Sequence, residues 1–184
     1  NNVQGSDSAS ISLSDVLPSI SVSNTPSLSS VNEPGAPVTF TVRVDNASVE
    51  SVTLSALVDD VFADLNGQGT CALPQSIALG GFYECTFSGM VSGNAGDVQT
   101  NTVTATASDD EANMVQANDA AAVTIADVLP SINVMKTASP TQVTEPGGMV
   151  AFTVRVDNTS VESITLTSLV DDIHGDVNGQ GNCS

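Results

Sequence analysis

The chain has 184 residues, 21 Asp and Glu against 3 Lys and Arg, and a formal net charge of -18. Three cations cannot neutralise a run of phosphates, which excludes nucleic-acid binding as a function. Hydrophobic residues account for 40% of the chain, enough apolar material for a buried core, and this argues against general disorder. No apolar run approaches the roughly 18 residues of a membrane-spanning helix, and the sequence after Asn1 does not resemble a signal peptide. We therefore expect a folded segment without a membrane span.

An internal repeat organises the chain. The hexapeptide Asp15-Val-Leu-Pro-Ser-Ile20 recurs 112 residues later as Asp127-Val-Leu-Pro-Ser-Ile132. Aligning 15–71 with 127–183 without a gap gives 37 identities in 57 positions. Identity at constant spacing indicates the duplication of one structural unit.

The register of the repeat predicts the domain boundaries. Residues 1–14 align with 113–126 and are expected to be the terminal strand of a preceding repeat. Residues 15–126, called the first unit below, form a complete repeat, and residues 127–184, the second unit, form the first half of the next. This is the register of a window from a longer array. The alternative is a natural protomer whose incomplete ends are completed by its neighbours.

Alternation of apolar and polar residues with a period of two dominates each unit and predicts strands. Gly, Pro, Asn and Asp turn signals separate the alternating segments. About seven such strands in a 112-residue unit predict an all-β fold, an immunoglobulin-like β-sandwich repeated in tandem. The apolar faces expected to be buried are Val38, Phe40, Val42 and Val44; Val52, Leu54, Ala56 and Val58; Tyr83, Cys85 and Phe87; Val103, Ala105 and Ala107; and Val123 with Ile125.

The connection between the units is very short. The segment Val123-Thr-Ile-Ala-Asp-Val128 leads directly into Leu129-Pro130 and the next predicted strand. Proline stiffens such a junction because its ring fixes φ. We therefore expect a rod with limited freedom at its hinge.

Cysteine spacing predicts one disulfide and an oxidising compartment. A bridge between Cys71 and Cys85 would close a loop of about 15 residues, worth roughly 3 kcal/mol in the chain-entropy model; two free buried thiols are the alternative. Cys183 aligns with Cys71 and is expected to be unbridged within the chain. The sequons at Asn46 and Asn158 are possible N-glycosylation sites, which suits an extracellular protein with attached glycans.

Clustered acids predict a Ca²⁺ site, because Ca²⁺ takes six to eight oxygen ligands. A turn at Asp109 and Asp110 could complete the site at a junction between units. The alternative is a solvated acidic surface or an adaptation to salt, and no cofactor is required. The remaining proposed ligands are Asp59, Asp60, Asp64 and Asn66 in the first unit and Asp171, Asp172, Asp176 and Asn178 in the second.

Catalysis is not expected, and no catalytic residue is proposed. The single histidine, His174, aligns with Phe62 and so belongs to no repeated site. No Ser or Cys has a sequence context that suggests a neighbouring base, and adjacent acids in a turn are usually solvated. The chain is therefore not expected to be an enzyme.

Several stretches together carry a family resemblance. They are Asp127-Val-Leu-Pro-Ser-Ile-Asn-Val-Met-Lys-Thr-Ala-Ser-Pro140, Glu145-Pro-Gly-Gly148, Leu57-Val-Asp-Asp60, Asp64-Leu-Asn-Gly-Gln-Gly-Thr-Cys71 and Gly80-Gly-Phe-Tyr-Glu-Cys85. The chain resembles the tandem Ig-like repeats of prokaryotic surface and secreted proteins in the domain-of-unknown-function-eleven group. The resemblance implies an extracellular array that serves as stalk, wall or fibre material, without enzyme activity. The first unit departs from the pattern in having Asn24 where the second has Lys136.

The sequence thus favours a structural protein of the cell surface, a rigid stalk or filament whose partners are adjacent copies of the same repeat. The alternative is an adhesin that binds a glycan or a protein. Adhesin loops should differ between repeats, whereas Asn66-Gly-Gln-Gly69 recurs unchanged as Asn178-Gly-Gln-Gly181. Identical loops suit a scaffold better than a recognition surface.

Overall fold

The computed structural model describes residues 1–183, and these contain strands and no helix. Every predicted strand segment of the first unit lies in a strand. The strands are β1 (Ile20–Pro26), β2 (Ser30–Asn32), β3 (Gly35–Asn46), β4 (Val52–Asp59), β5 (Ala63–Asp64), β6 (Gln75–Ile77), β7 (Phe82–Ser92), β8 (Val98–Ser108), β9 (Met114–Ala126), β10 (Ile132–Ser139), β11 (Ala151–Asn158), β12 (Val170–Asp171) and β13 (Gly175–Asp176).

Two sheets make up the first unit. One has the order β1-β3-β7, and the other has the order β2-β9-β8-β4-β5 with β6 paired to β4. All neighbouring strands run antiparallel except β2, which pairs with β9 in parallel through Val31 and Ile125. The chain therefore crosses from the first sheet to the second between β1 and β2. The last strand of the unit, β9, then pairs with β2.

One hydrophobic core lies between the inward faces of these two sheets. Phe40 and Phe87 come from the first sheet, are each 1% exposed and stack with ring centroids 5.3 Å apart. Leu54 and Val103 come from the second sheet and are fully buried in the same cluster. This all-β, two-sheet arrangement is consistent with a β-sandwich.

An irregularity in β4 corrects one predicted face. The pairing of β4 with β8 shifts register between Leu54 and Ala56, and such a shift reverses the side chains that follow. Val58, predicted to be inward, is 47% exposed, whereas Leu57 and Asp59 point inward and are 0% and 1% exposed. A carboxylate thus takes the place that alternation had assigned to valine.

The second unit forms only part of the same structure. Strands β10 and β11 pair from Ile132 opposite Asn158, as β1 and β3 pair from Ile20 opposite Asn46. Residues 164–169, which align with most of β4, form no strand.

The first nineteen residues form no strand either. The terminal strand predicted for residues 1–14 is therefore not observed in the structure. A strand needs a partner for its backbone N–H and C=O groups, and residues 1–14 pair with no strand of either unit.

Candidate functional site

The acidic loop after β4 uses its polar side chains to cap backbone groups. Asp59 Oδ1 accepts hydrogen bonds from the amides of Val61 and Phe62, both at 2.8 Å. Asp64 Oδ1 accepts from the amide of Asn66 at 3.0 Å. These carboxylates satisfy amides that the tight turn leaves without partners, as Asx turns do elsewhere.

The same caps recur in the second unit. Asp171 Oδ1 accepts from the amides of Ile173 and His174 at 3.0 and 2.9 Å. Asp176 Oδ1 accepts from the amide of Asn178 at 3.0 Å. Repetition of these residue types is thus explained by the conformation of the loop itself.

Within the described residues, Asp59, Asp60, Asp64 and Asn66 accept hydrogen bonds from different backbone amides, and a Ca²⁺ site at these residues stays a prediction. Asp59 points into the core, whereas Asp60 Oδ1 accepts from the amide of Thr102 at 2.7 Å. Asn66 Oδ1 accepts from the amide of Leu73 at 2.9 Å. Each side chain has a different backbone partner and a different direction. The aligned acids Asp171, Asp172 and Asp176 belong to no acidic cluster among the described residues.

Acidic groups do meet at two other places. Carboxylate oxygens of Asp15, Glu50, Asp109 and Glu111 all lie within 4.8 Å of one another at the end of the first unit where β8 turns into β9. Of the predicted ligands, only Asp109 belongs to this group. The second group is Glu33, Asp127 and Glu162, within the same distance, and it lies where the two units join.

Glu33 connects the first unit to the residues that follow it. Its side chain is 7% exposed, Oε1 accepts from the amide of Val128 at 2.9 Å, and Oε2 accepts from the amide of Ala95 at 3.1 Å. Its own amide donates to Ala126 O at 3.0 Å. The hydrogen bond from Val128 is the largest cause that lowers the pKa of Glu33. The ionised carboxylate therefore holds the start of the connection to the second unit.

The other acidic group has the opposite electrostatics. Asp110 raises the pKa of both Glu50 and Glu111, through a side-chain hydrogen bond and through charge repulsion. A raised carboxyl pKa means that the ionised form is disfavoured in the folded state. The ionised carboxylates of this group repel one another, and protonation as the pH falls reduces that repulsion.

Sequence reasoning missed a buried polar pair, Asp59 with Asn101, and a further buried polar residue, Asn24. Asn101 Nδ2 donates to Asp59 Oδ2 at 2.5 Å, and each of the two residues is 1% exposed. Asn24 is 5% exposed, and neither polar atom of its side chain has a hydrogen-bond partner among the described residues. The sequence signal for Asn24 was that the aligned residue in the second unit is Lys136. No such signal marked Asp59, because alternation predicted that Asp59 points outward.

In the second unit, the equivalent position holds an ion pair. Lys136 Nζ donates to Asp171 Oδ2 and lies 4.6 Å from the ring centroid of Phe152. Its ammonium lowers the pKa of Asp171. Arg43 and Arg155 are bound to other acids at 2.6 and 2.7 Å, so all three cations of the chain are paired away from the first unit's buried carboxylate.

The cysteine and sequon positions have different outcomes. Cys71 and Cys85 form a disulfide with Cα atoms 4.9 Å apart, and Cys183 is a free thiol. Asn46 is 3% exposed, and its Nδ2 donates to the carbonyls of Glu50, Ile77 and Ala78. The side-chain nitrogen of Asn46 is therefore inaccessible in the folded chain, and glycosylation of Asn46 stays a prediction.

The second sequon is exposed, and its Asn158 Nδ2 donates to one carbonyl, that of Glu162 at 2.8 Å, among the described residues. Asn158 Oδ1 accepts from the amide of Ser160 at 2.8 Å. Ser48 donates its amide to Asn46 Oδ1 at the same distance. The Asn-x-Ser pattern therefore forms a turn at the end of β3 and of β11, which explains its repetition without a glycan; glycosylation of Asn158 stays a prediction.

No protein-family model matches the chain, and no curated protein matches it. The part of the chain that the structure describes has no helix long and apolar enough to cross a membrane.

Proposed function

We propose that the chain is a segment of an extracellular array of Ig-like repeats that acts as a rigid stalk or filament on a prokaryotic cell surface. The observation that carries the proposal is the joint between the two units. β9 ends at Ala126, Glu33 binds the amide of Val128, and β10 begins at Ile132. A connection this short, with a side chain bound to its backbone, suits the transmission of force better than free reorientation.

The strand order supports the Ig-like part of the proposal. The edge strand β1 pairs antiparallel with β3, and the chain then crosses to pair β2 in parallel with the last strand, β9. Sandwiches of the immunoglobulin type divide their strands between two facing sheets and close them with Greek-key connections. β1 and β2 together act as one first strand that is divided between the two sheets. Its second part, β2, pairs with the last strand of the unit, β9.

The disulfide supports the extracellular part. Cys71 lies in the loop after β5, Cys85 lies in β7, and both are 2% exposed. Such bridges persist in oxidising compartments and are rare in reducing ones. A chain rich in hydroxyl and acidic residues, with 24 Ser, 18 Thr and 21 Asp and Glu, suits exposure to the same environment.

Immunogold electron microscopy of intact source cells, with antibodies raised against the chain, tests the proposal. We expect label along surface stalks or filaments, and label confined to the cell interior would contradict it. Antibodies adsorbed with the purified chain are the control. Selective retention of the chain by a glycan or protein array would instead support the adhesin alternative.

A second experiment examines the joint. Replacement Glu33→Gln should increase the amplitude of nanosecond motion of the second unit relative to the first, measured by ¹⁵N relaxation. Glu145→Gln is the matched control, because Glu145 aligns with Glu33 and is exposed. Equal relaxation in both variants and in the wild type would remove the joint as support for a rigid stalk.

A further inference from the structure

The outward face of the second sheet in the first unit carries no ionisable side chain on its three long strands. The alternate residues of these strands point towards the core. We call this surface the neutral face. Its members are the even-numbered residues of 98–108 in β8 and of 114–124 in β9, together with Thr53, Ala56 and Val58 of β4.

Cross-strand pairs give the neutral face a regular centre. Thr102 lies opposite Ala120, and Thr104 lies opposite Asn118, on β9. On the other side of β8, Val58 of β4 lies opposite Thr104. Short and β-branched side chains such as these lose little conformational freedom when they are packed. A second sheet can therefore pack against this face, as facing sheets do at about 10 Å in β-sandwiches.

The other surfaces of the first unit are charged. On the outward face of the first sheet, Arg43 lies opposite Glu84 and forms an ion pair with Asp45 at 2.6 Å. In the second sheet, Asp64 lies on the edge strand β5, and the ends of the unit carry the two acidic groups. Because the formal net charge is -18, two copies that met through these surfaces would bring carboxylates together. Through the neutral face, they can meet without opposing or desolvating charges.

The repeated sequence also keeps these positions uncharged. Residues 1–14 align with 113–126, so the chain holds a second version of the six outward positions of β9. Five of the six differ in residue type between the two versions and none is charged, whereas an alternate position keeps its acid as Asp7 and Asp119. The outward positions of β4 recur, again without charge, as Thr165, Ser168 and Val170. Variation without any gain of charge is expected where a charge would disfavour an interaction.

The size of the neutral face suits a weak but specific contact. Three strands about 4.8 Å apart and about 36 Å long cover roughly 500 Å² per copy, or roughly 1,000 Å² for two copies. That total is at the lower end of the range for specific protein–protein interfaces. One pair of units should therefore associate weakly, and several units on two parallel arrays would add their contacts.

We propose that the neutral face is a self-association surface, through which the first units of two copies of this chain pack face to face. Use of the same face by both partners gives a closed, two-fold symmetric pair. Other partners fit less well, because the face offers no cation to a phosphate or an acidic polymer and no aromatic ring to a sugar. The inference goes beyond the proposed function and does not depend on it; in a stalk or filament, it would join neighbouring arrays side by side.

Sedimentation velocity of the full 184-residue chain tests the proposal. We expect a monomer–dimer equilibrium between about 10 µM and about 1 mM, shifted towards the dimer by added salt because screening weakens the repulsion between acidic surfaces. Thr104→Glu should raise the dissociation constant of the dimer by about tenfold or more, since the symmetric contact would bury a carboxylate from each copy. Thr41→Glu is the matched control and should leave the constant nearly unchanged. It adds the same charge at a half-buried, outward residue of β3 in the first sheet.

Further variants cover a failure to fold and a different interface. Ala120→Glu, with Ser88→Glu as its control, repeats the test at exposed positions if Thr104→Glu does not fold. A chain that stays monomeric at every concentration and salt level would overturn the proposal, and so would equal effects of Thr104→Glu and Thr41→Glu. A dimer that persists in Thr104→Glu and is lost in Phe152→Ser would also overturn it, because pairing would then use the exposed apolar residues of the second unit.

Discussion

The two units place nearly the same sequence in two different surroundings. Phe40 is 1% exposed in the first unit, and its counterpart Phe152 is 47% exposed in the second. In the first unit, β7 lies beside β3 in the same sheet, and β8 and β9 belong to the facing sheet; the described residues of the second unit include no counterpart of these three strands. The comparison separates what a segment forms by itself from what it forms only in contact with other strands.

Local structure persists in both surroundings. The β1–β3 and β10–β11 hairpins share their register, and the Asp59 and Asp171 loops share their capping hydrogen bonds. These contacts lie within the repeated segment. Strand β4 behaves differently, because its neighbours β6 and β8 come from later in the unit. Its counterpart at residues 164–169 therefore has no partner and forms no strand.

The largest expected difference between the units is at the aromatic core. Phe40→Ala should cost about 3–5 kcal/mol, as large-to-small substitutions in packed cores do. Phe152→Ala should cost less than about 1 kcal/mol, because substitutions outside a core have small effects. Denaturant unfolding of both variants measures the two values. Equal destabilisation would show that the second unit buries its phenylalanine in solution as completely as the first.

A smaller difference is expected at a repeated glycine. Gly35 and Gly147 have φ of 130° and 123°, so alanine is strained at both. A Cβ at Gly35 would lie 2.1 Å from Val91 O, whereas a Cβ at Gly147 would meet nothing within 4 Å. We expect Gly35→Ala to cost about 3 kcal/mol and Gly147→Ala about 1 kcal/mol. Thermal unfolding compares them, and a similar cost at both positions would attribute the effect to φ alone.

Glu33 and Glu145 should differ in their response to acid. The folded-state pKa of Glu33 is below its usual value of 4.5, so its contribution to stability is present above that pH and is lost as the pH falls through the lower folded-state value. Glu33→Gln should lower the Tm at neutral pH and reduce the further loss on acidification. Glu145→Gln should change neither. Melting curves from about pH 7 to pH 3 test this, and parallel curves for wild type and Glu33→Gln would contradict it.

The smallest effect is expected from the raised pKa of Glu50. A carboxyl whose folded-state pKa is raised opposes folding once it is ionised, so Glu50→Gln should slightly raise the Tm at pH values above its folded-state pKa, where the repulsion is present. Added salt should reduce the gain by screening the surrounding carboxylates. Glu145→Gln is the control, because Glu145 is exposed and belongs to neither acidic group. A decrease in Tm for Glu50→Gln would mean that its hydrogen bond outweighs the repulsion.

The sequence by itself determined the repeat, the β class and most inward faces. Alternation in Val38–Val44 and in Val103–Ala107 correctly identified buried residues, because side chains on a regular strand must alternate between faces. Duplication at a spacing of 112 residues likewise needed no structure. Such features depend on residues close to one another in the chain.

Only the tertiary structure decided which polar residues meet. The register shift in β4 turned Asp59 inward, a change that alternation cannot reveal because it arises from the pairing with β8. The acids predicted to converge cap separate amides, while Glu33 meets Asp127 and Glu162 from distant parts of the sequence. Asn101 meets Asp59 across 42 residues for the same reason. Contacts between separate strands depend on how the sheets pair and pack, and a local pattern of residues does not contain that information.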